Sequence, residues 1–136
     1  MLVDLPIREM AAKFRSGEIT PVDVIEECYA RIRQYDGNMH SFITLVDKDI
    51  AVAQAKKAAL SLKGGASVLA GIPYVMKDAY LTRGVRTTAA SKILDNFISP
   101  YSATVHQKLE DAGAILIGKM NMDAWGHGAS TENTDY

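Results

Sequence analysis

"GIPYVMKDAY", residues 71–80, decides how this chain is read. Gly71 and Pro73 punctuate its start, and Tyr74–Lys77 has the length and apolar character of a short strand. The strand ends in a lysine followed by an aspartate. Side chains alternate across a strand, so Tyr74 and Met76 share one face, and Val75 and Lys77 share the other. Asp78, if still extended, points away from Lys77. The "KD" pair is therefore not a local ion pair, and Lys77 needs another partner or water.

Two readings of Lys77 follow. In one, the side chain snorkels from the strand end with its charge in solvent. In the other, the apolar surroundings desolvate it. Burial disfavours the ammonium, and moving a lysine from about 10.4 to near 7 takes an environment worth roughly 4 kcal/mol. Such an amine accepts a proton from a hydroxyl, as in Ser-Lys variants of nucleophilic catalysis.

The flanking sequence alternates helix and strand signals. Asp4 can cap a first helix, with Pro6 in its opening turn and Gly17 as its stop. In "TPVDVIEECYARIRQYDG" (residues 20–37) Thr20 is the expected N-cap, Pro21 the first helical residue, and Asp23 completes a capping-box pattern. Val24, Ile25, Cys28 and Ile32 form its apolar stripe, which makes Cys28 a core residue, and Asp36-Gly37 reads as the closing turn. "SFITLV" (41–46) is a strand candidate. Asp47 caps an alanine-rich third helix whose small apolar face suits close packing, with Gly64-Gly65 as its stop. Residues 81–100 are polar and aperiodic, and a segment of that length is more than a simple connection. Ser102 can cap a fourth helix closed by Gly113. "AILIG" (114–118) is wholly apolar, as in a strand buried on both faces, and a glycine-rich loop, "GHGASTENTDY" (126–136), follows. The alternation predicts an α/β fold, a sheet with helices on its faces.

Bulk properties narrow the function. The 136 residues suit one modest domain, and a net charge of -1 gives no global field for nucleic acid or anionic lipid. One cysteine forms neither an intrachain disulfide nor a CxxC metal site, which fits a reducing compartment. No apolar run is long enough to span a membrane, and "MLVDLPIREM" lacks the features of a signal peptide. The histidines suggest no metal centre: His40 falls in a turn, His106 on an expected exposed helix face, and His127 in the glycine loop. Gly126, Gly128 and Ala129 allow close backbone approach to a ligand, and Ser130, Thr131 and Asn133 supply polar groups. An ordinary surface loop has the same composition.

Three stretches together resemble the amidase signature family: "GIPYVMKD" (71–78), "GVRTTAASKILDNFISPYSATVHQKLEDAGAILIGKMNMD" (84–123) and "GASTENTDY" (128–136). Within that family they are most similar to the A-type subunits of the aspartyl/glutamyl-tRNA amidotransferases. The resemblance implies a mixed β-sheet flanked by helices, with residues 1–136 as the N-terminal portion of one amidase domain, helical over 1–65 and starting the sheet core over 66–136. It implies a Ser–cis-Ser–Lys triad in which Lys77 is the proton acceptor. It implies a substrate-binding loop around Gly126, His127, Gly128 and Ser130. Both triad serines are expected in and beyond a glycine–serine-rich signature downstream of "STEN". Neither Ser91 nor Ser130 corresponds to them, so the 136 residues alone are expected to be inactive, with an exposed sheet edge that makes them aggregation-prone. The family's tRNA-linked members often carry Ser at the place of Ala129 and Met at that of His127.

The resemblance further implies a cytoplasmic enzyme that hydrolyses L-glutamine and passes ammonia to a partner. Two other subunits, of B and C type, are expected, with ATP and Mg bound by the partner and aminoacyl-tRNA reached through the complex. No cofactor or metal is expected in this chain. Another amidase of the same family, or a truncated interaction piece without activity, remains open on sequence.

Overall fold

Capping chemistry sets the helix boundaries in the computed structural model, which describes residues 1–62 and 65–136. Helices α1 (Ile7–Ser16) and α2 (Pro21–Met39) are separated by Gly17, whose φ of 76° ends α1 in the left-handed region. Thr20 Oγ1 accepts the Asp23 amide at 3.2 Å, and the Asp23 carboxylate accepts the Thr20 amide at 2.8 Å, so the expected capping box forms. Two boundaries of these two helices differ from the sequence expectation. Asp4 does not cap α1; it sits in a 3₁₀ turn (Leu2–Asp4), pairs with Arg31, and leaves Pro6 as the N-cap. Gly37 does not end α2. A helical glycine costs only about 1 kcal/mol, and the last turn is closed further on, where His40 takes φ 49° and the Asp36 side chain accepts the Ser41 amide at 2.7 Å.

Strand β1 (Phe42–Leu45) leads into α3 (Lys48–Ser61), where Asp47 accepts the amides of Asp49 and Ile50. The expected glycine stop of α3 falls partly outside the described residues, since Gly64 is among the two not described; Gly65 has φ 77°. Strand β2 (Pro73–Lys77), helix α4 (Thr104–Asp111) and strand β3 (Ile115–Met120) complete the fold. Ser102 does not cap α4; its Oγ accepts the Arg83 amide at 3.1 Å and so ties down the long loop instead. No helix among the described residues is long and apolar enough to cross a membrane.

The sheet is mixed, in the order β1-β3-β2. β3 is central, parallel to β2 and antiparallel to β1, and its burial on both faces matches its unbroken apolar run. One layer of core joins α2 and α3 to the sheet through Ile25, Tyr29, Ala51, Ala55, Ile115 and Ile117. Ala51 and Ala55 are fully buried, so the small face of α3 does give close packing. A second cluster, Met10, Phe14, Val24 and Ile72, seats α1. Cys28 lies against both clusters, and burial pushes its thiol up to about 11, which suits packing rather than nucleophilic chemistry.

His106 departs from the expected exposed face. It is buried, with its Nδ1 2.6 Å from the Tyr74 hydroxyl, and burial lowers its pKa. α4 thus turns its histidine inward against β2, where Tyr74 offers a partner that the helix pattern alone did not reveal.

Candidate active site

The parallel strands β2 and β3 end together, with Lys77 opposite Met120. Beyond that end the 126–131 segment curls back, and an open pocket of about 410 Å³ lies between it and the strand ends. Lys77, Met120, Met122, Asp123, Gly126 and Gly128 border the pocket. This is the carboxyl edge of a parallel pair, the usual position of α/β sites.

The sequence-derived residues divide as follows. Lys77, Gly126 and Gly128 meet at this pocket, along with Ala129 and Thr131. Ser130 opens instead onto an adjoining hollow shared with His40, Asn121 and Thr134. His127 borders neither. Its amide bonds the Ala124 carbonyl at 3.1 Å and its carbonyl accepts from the Asn133 side chain at 3.4 Å.

Strand alternation separates Lys77 from Asp78 as expected. Lys77 is exposed to the pocket, whereas Asp78 is completely buried. The cation withdrawn from water is a different one, Lys119 of β3, also completely buried. Its Nζ stands 3.2 Å from Asp78 Oδ1 and donates to Thr87 Oγ1 and the Tyr80 carbonyl, each at 2.8 Å. Burial lowers the Lys119 pKa, and Asp78 opposes that shift. Complete burial thus falls on Lys119, while Lys77 is exposed to the pocket. The sequence signal was present in "ILIGKM" (115–120), a lysine inside the most apolar strand.

Asp78 also organises the neighbouring turn. Its Oδ2 accepts both the Thr88 amide (2.8 Å) and the Thr88 hydroxyl (2.6 Å), and its carbonyl accepts the Ala89 amide at 3.2 Å. The turn needs such support: Ala89 and Ala90 have φ of 51° and 56°, a region that costs an L-residue about 1–2 kcal/mol. Trp125, itself at φ 57°, donates to the Ala89 carbonyl at 2.9 Å, and the Asp135 amide donates to that of Ala90 at 3.2 Å. Residues 81–100 therefore form a folded shelf that carries the 124–135 segment, consistent with their length. Thr82, Thr87, Thr88, Ser91 and Ser99 are buried in it, and Arg86 clamps its far side through Asp95 and Tyr136.

Asp123 is the second organising carboxylate. Thr131 and Asn133 donate their amides to it, both at 3.0 Å. Those two amides hold its pKa below the usual carboxylate value; burial opposes them, and the Ser130 amide and the charge of Lys77 reinforce them. The site thus has one exposed amine at a strand end, set between two loops that buried carboxylates hold in place.

Comparison with known proteins agrees with this geometry. The amidase family profile matches residues 23–136. The chain is 46% identical over 136 residues to the A-type subunit of the glutamyl-tRNA(Gln) amidotransferase of Syntrophus aciditrophicus, covering 99% of this chain and 28% of that protein. The crystal structure of the corresponding glutamyl-tRNA(Gln) amidotransferase subunit from Thermotoga maritima superimposes with a TM-score of 0.72 at 28% identity, over 97% of this chain and 27% of the other. The peptide amidase from Stenotrophomonas maltophilia superimposes with a TM-score of 0.80 at 26% identity, over 88% and 25%. The chain spans somewhat more than a quarter of the length of the curated relatives it matches. The profile match over residues 23–136, most of the chain, shows that it belongs to the amidase family.

Proposed function

We propose that this chain is the lysine-bearing portion of the glutamine-hydrolysing component of an amidotransferase that converts Glu-tRNA(Gln) to Gln-tRNA(Gln). The observation that carries the reading is the exposed Lys77 amine at the mouth of the pocket formed by β2, β3 and the 126–131 segment. Identity of 40–46% over nearly the whole chain to A-type components of glutamyl-tRNA(Gln) amidotransferases supports the tRNA-linked reading.

In this reading Lys77 is the acceptor of a proton that a second serine relays from a nucleophilic serine. Both serines lie outside residues 1–136. The nucleophile's oxygen bonds to the side-chain amide carbon of glutamine, the C–N bond breaks, and the proton leaves with ammonia. Water then releases glutamate from the acyl-enzyme. Ammonia passes to a partner of B type, which holds ATP and Mg and activates the aminoacyl-tRNA, and a C-type partner completes a cytoplasmic assembly. Gly126, Gly128, Ala129 and Thr131 of the 126–131 segment line the glutamine pocket beside Lys77, and Ser130 opens onto the adjoining hollow.

The test is ammonia release from glutamine by the protein of the complete reading frame, with and without Lys77→Ala. Wild-type rates in the variant would remove Lys77 from the mechanism. Copurification with two partner subunits separates the tRNA-linked reading from a stand-alone amidase.

A further inference from the structure

The backbone after β3 folds around the Asp123 side chain. Thr131 donates to one carboxylate oxygen and Asn133 to the other. The ring is closed by the Ala124 amide, which donates to the Asn133 carbonyl at 2.6 Å. Gly128 is pressed against the same carboxylate: a Cβ built there would stand 2.4 Å from Cγ and 2.7 Å from each oxygen. Asp123 is buried, and both of its oxygens are engaged by the backbone, so it is not free to act as an acid or base. Its geometry matters because the segment it gathers is the one that faces Lys77 across the pocket. An asparagine offers one acceptor oxygen where two amides need one each, and an alanine offers none.

We propose that Asp123 is a positioning residue of the Lys77 site, whose carboxylate holds the 126–133 segment as the pocket wall that receives the amide substrate. The proposal rests on the amidase reading above. Lys77 and the ends of β2 and β3 are held separately, by sheet pairing and by the Asp78–Lys119 pair. Loss of Asp123 therefore loosens the substrate wall while the strand-end amine stays in place, and substrate binding suffers more than the chemical step.

The experiment uses the protein of the complete reading frame and measures glutamine hydrolysis for Asp123→Ala, Asp123→Asn, Gly128→Ala and the Asp123→Ala/Gly128→Ala double variant. Asp123→Ala is expected to raise KM about tenfold with kcat within about threefold of wild type. Asp123→Asn, which keeps one acceptor, falls between wild type and Asp123→Ala. Gly128→Ala acts by collision with the carboxylate, so it impairs the wild type but adds nothing once Asp123 is alanine. A wild-type KM in Asp123→Ala, or independent effects of the two substitutions, would overturn the proposal.

A second readout does not need activity. Trp125 adjoins the gathered segment, within the ring that the Ala124–Asn133 hydrogen bond closes, and its fluorescence anisotropy, isolated by subtracting the matching Trp125→Phe proteins, falls if the segment loosens. If the wild type hydrolyses no amide, the amidase reading fails. A lowered Trp125 anisotropy in Asp123→Ala with unchanged circular dichroism then still supports the positioning role, and an unchanged anisotropy overturns it.

Discussion

Lys119 and Asp78 face each other at 3.2 Å, on adjacent strand ends, with neither side chain accessible to solvent. Among the described residues this is the ion pair that is fully buried on both sides. Two buried charges lose several kcal/mol each in hydration, and the pair persists only because further hydrogen bonds complete it. Here Thr88 saturates one Asp78 oxygen and Lys119 donates to Thr87 and the Tyr80 carbonyl, while the other Asp78 oxygen meets the ammonium as an ion pair without a hydrogen bond. The pair therefore welds the shelf of residues 80–90 to the ends of β2 and β3, one residue from Lys77.

Breaking that pair on one side leaves an uncompensated buried charge. Lys119→Met or Asp78→Ala is expected to destabilise the protein by about 3–5 kcal/mol, read as a lowered urea midpoint. The double variant Lys119→Met/Asp78→Ala should recover part of the loss, because no lone charge remains. A double variant as unstable as the sum of the singles would show that the two charges do not act as a unit.

Lys77 gives the opposite signature. It is exposed and lies outside both core clusters, so Lys77→Ala should change stability by no more than about 0.5 kcal/mol. As a proton acceptor its removal should lower kcat for glutamine hydrolysis by about 10²–10⁴-fold. Lys77→Arg should be no better than alanine, since a guanidinium stays protonated. Activity in the arginine variant would show that the charge alone, not proton transfer, is required.

The elements and their order were legible because each has a local cause. The Thr20–Asp23 box, the Asp47 cap, the left-handed Gly17 and the apolar run of β3 act within a few residues. The misses share the opposite property. Ser102 is drawn from its cap by Arg83, Asp4 by Arg31, and His106 finds Tyr74 across a packing interface. Lys77 stands out through strand alternation and motif resemblance. The buried lysine is Lys119, 42 positions on in the sequence and beside Met76 in the sheet. Asp123 gave no local signal, because its partners are the backbone amides of Thr131 and Asn133.

Gly118 carries a packing constraint rather than a conformational one. A Cβ there would lie 2.7 Å from the Phe42 ring and 2.8 Å from the Thr44 carbonyl, so β1 could not stay seated on β3. Gly118→Ala is expected to cost about 1–3 kcal/mol, as overpacking does. Adding Phe42→Leu to Gly118→Ala should relieve only part of it, because the Thr44 carbonyl remains in the way. Amide hydrogen exchange should show the loss of protection concentrated in β1, and a uniform loss across the sheet would contradict this account.

The depressed pKa of Asp123 gives the 126–133 segment a pH dependence whose sign can be worked out. The Thr131 and Asn133 amides stabilise the carboxylate in the folded segment, so its pKa there lies below the ordinary value of 3.8. A depressed acid contributes its full stabilisation above its unfolded value and loses it as pH falls through the folded one. The segment should therefore stay closed while ordinary exposed carboxylates protonate, and open only at lower pH. Followed by Trp125 anisotropy, the wild-type protein should show a transition with its midpoint below 3.8 that Asp123→Asn lacks. A midpoint above 3.8, or the same transition in Asp123→Asn, would mean that another group holds the segment closed.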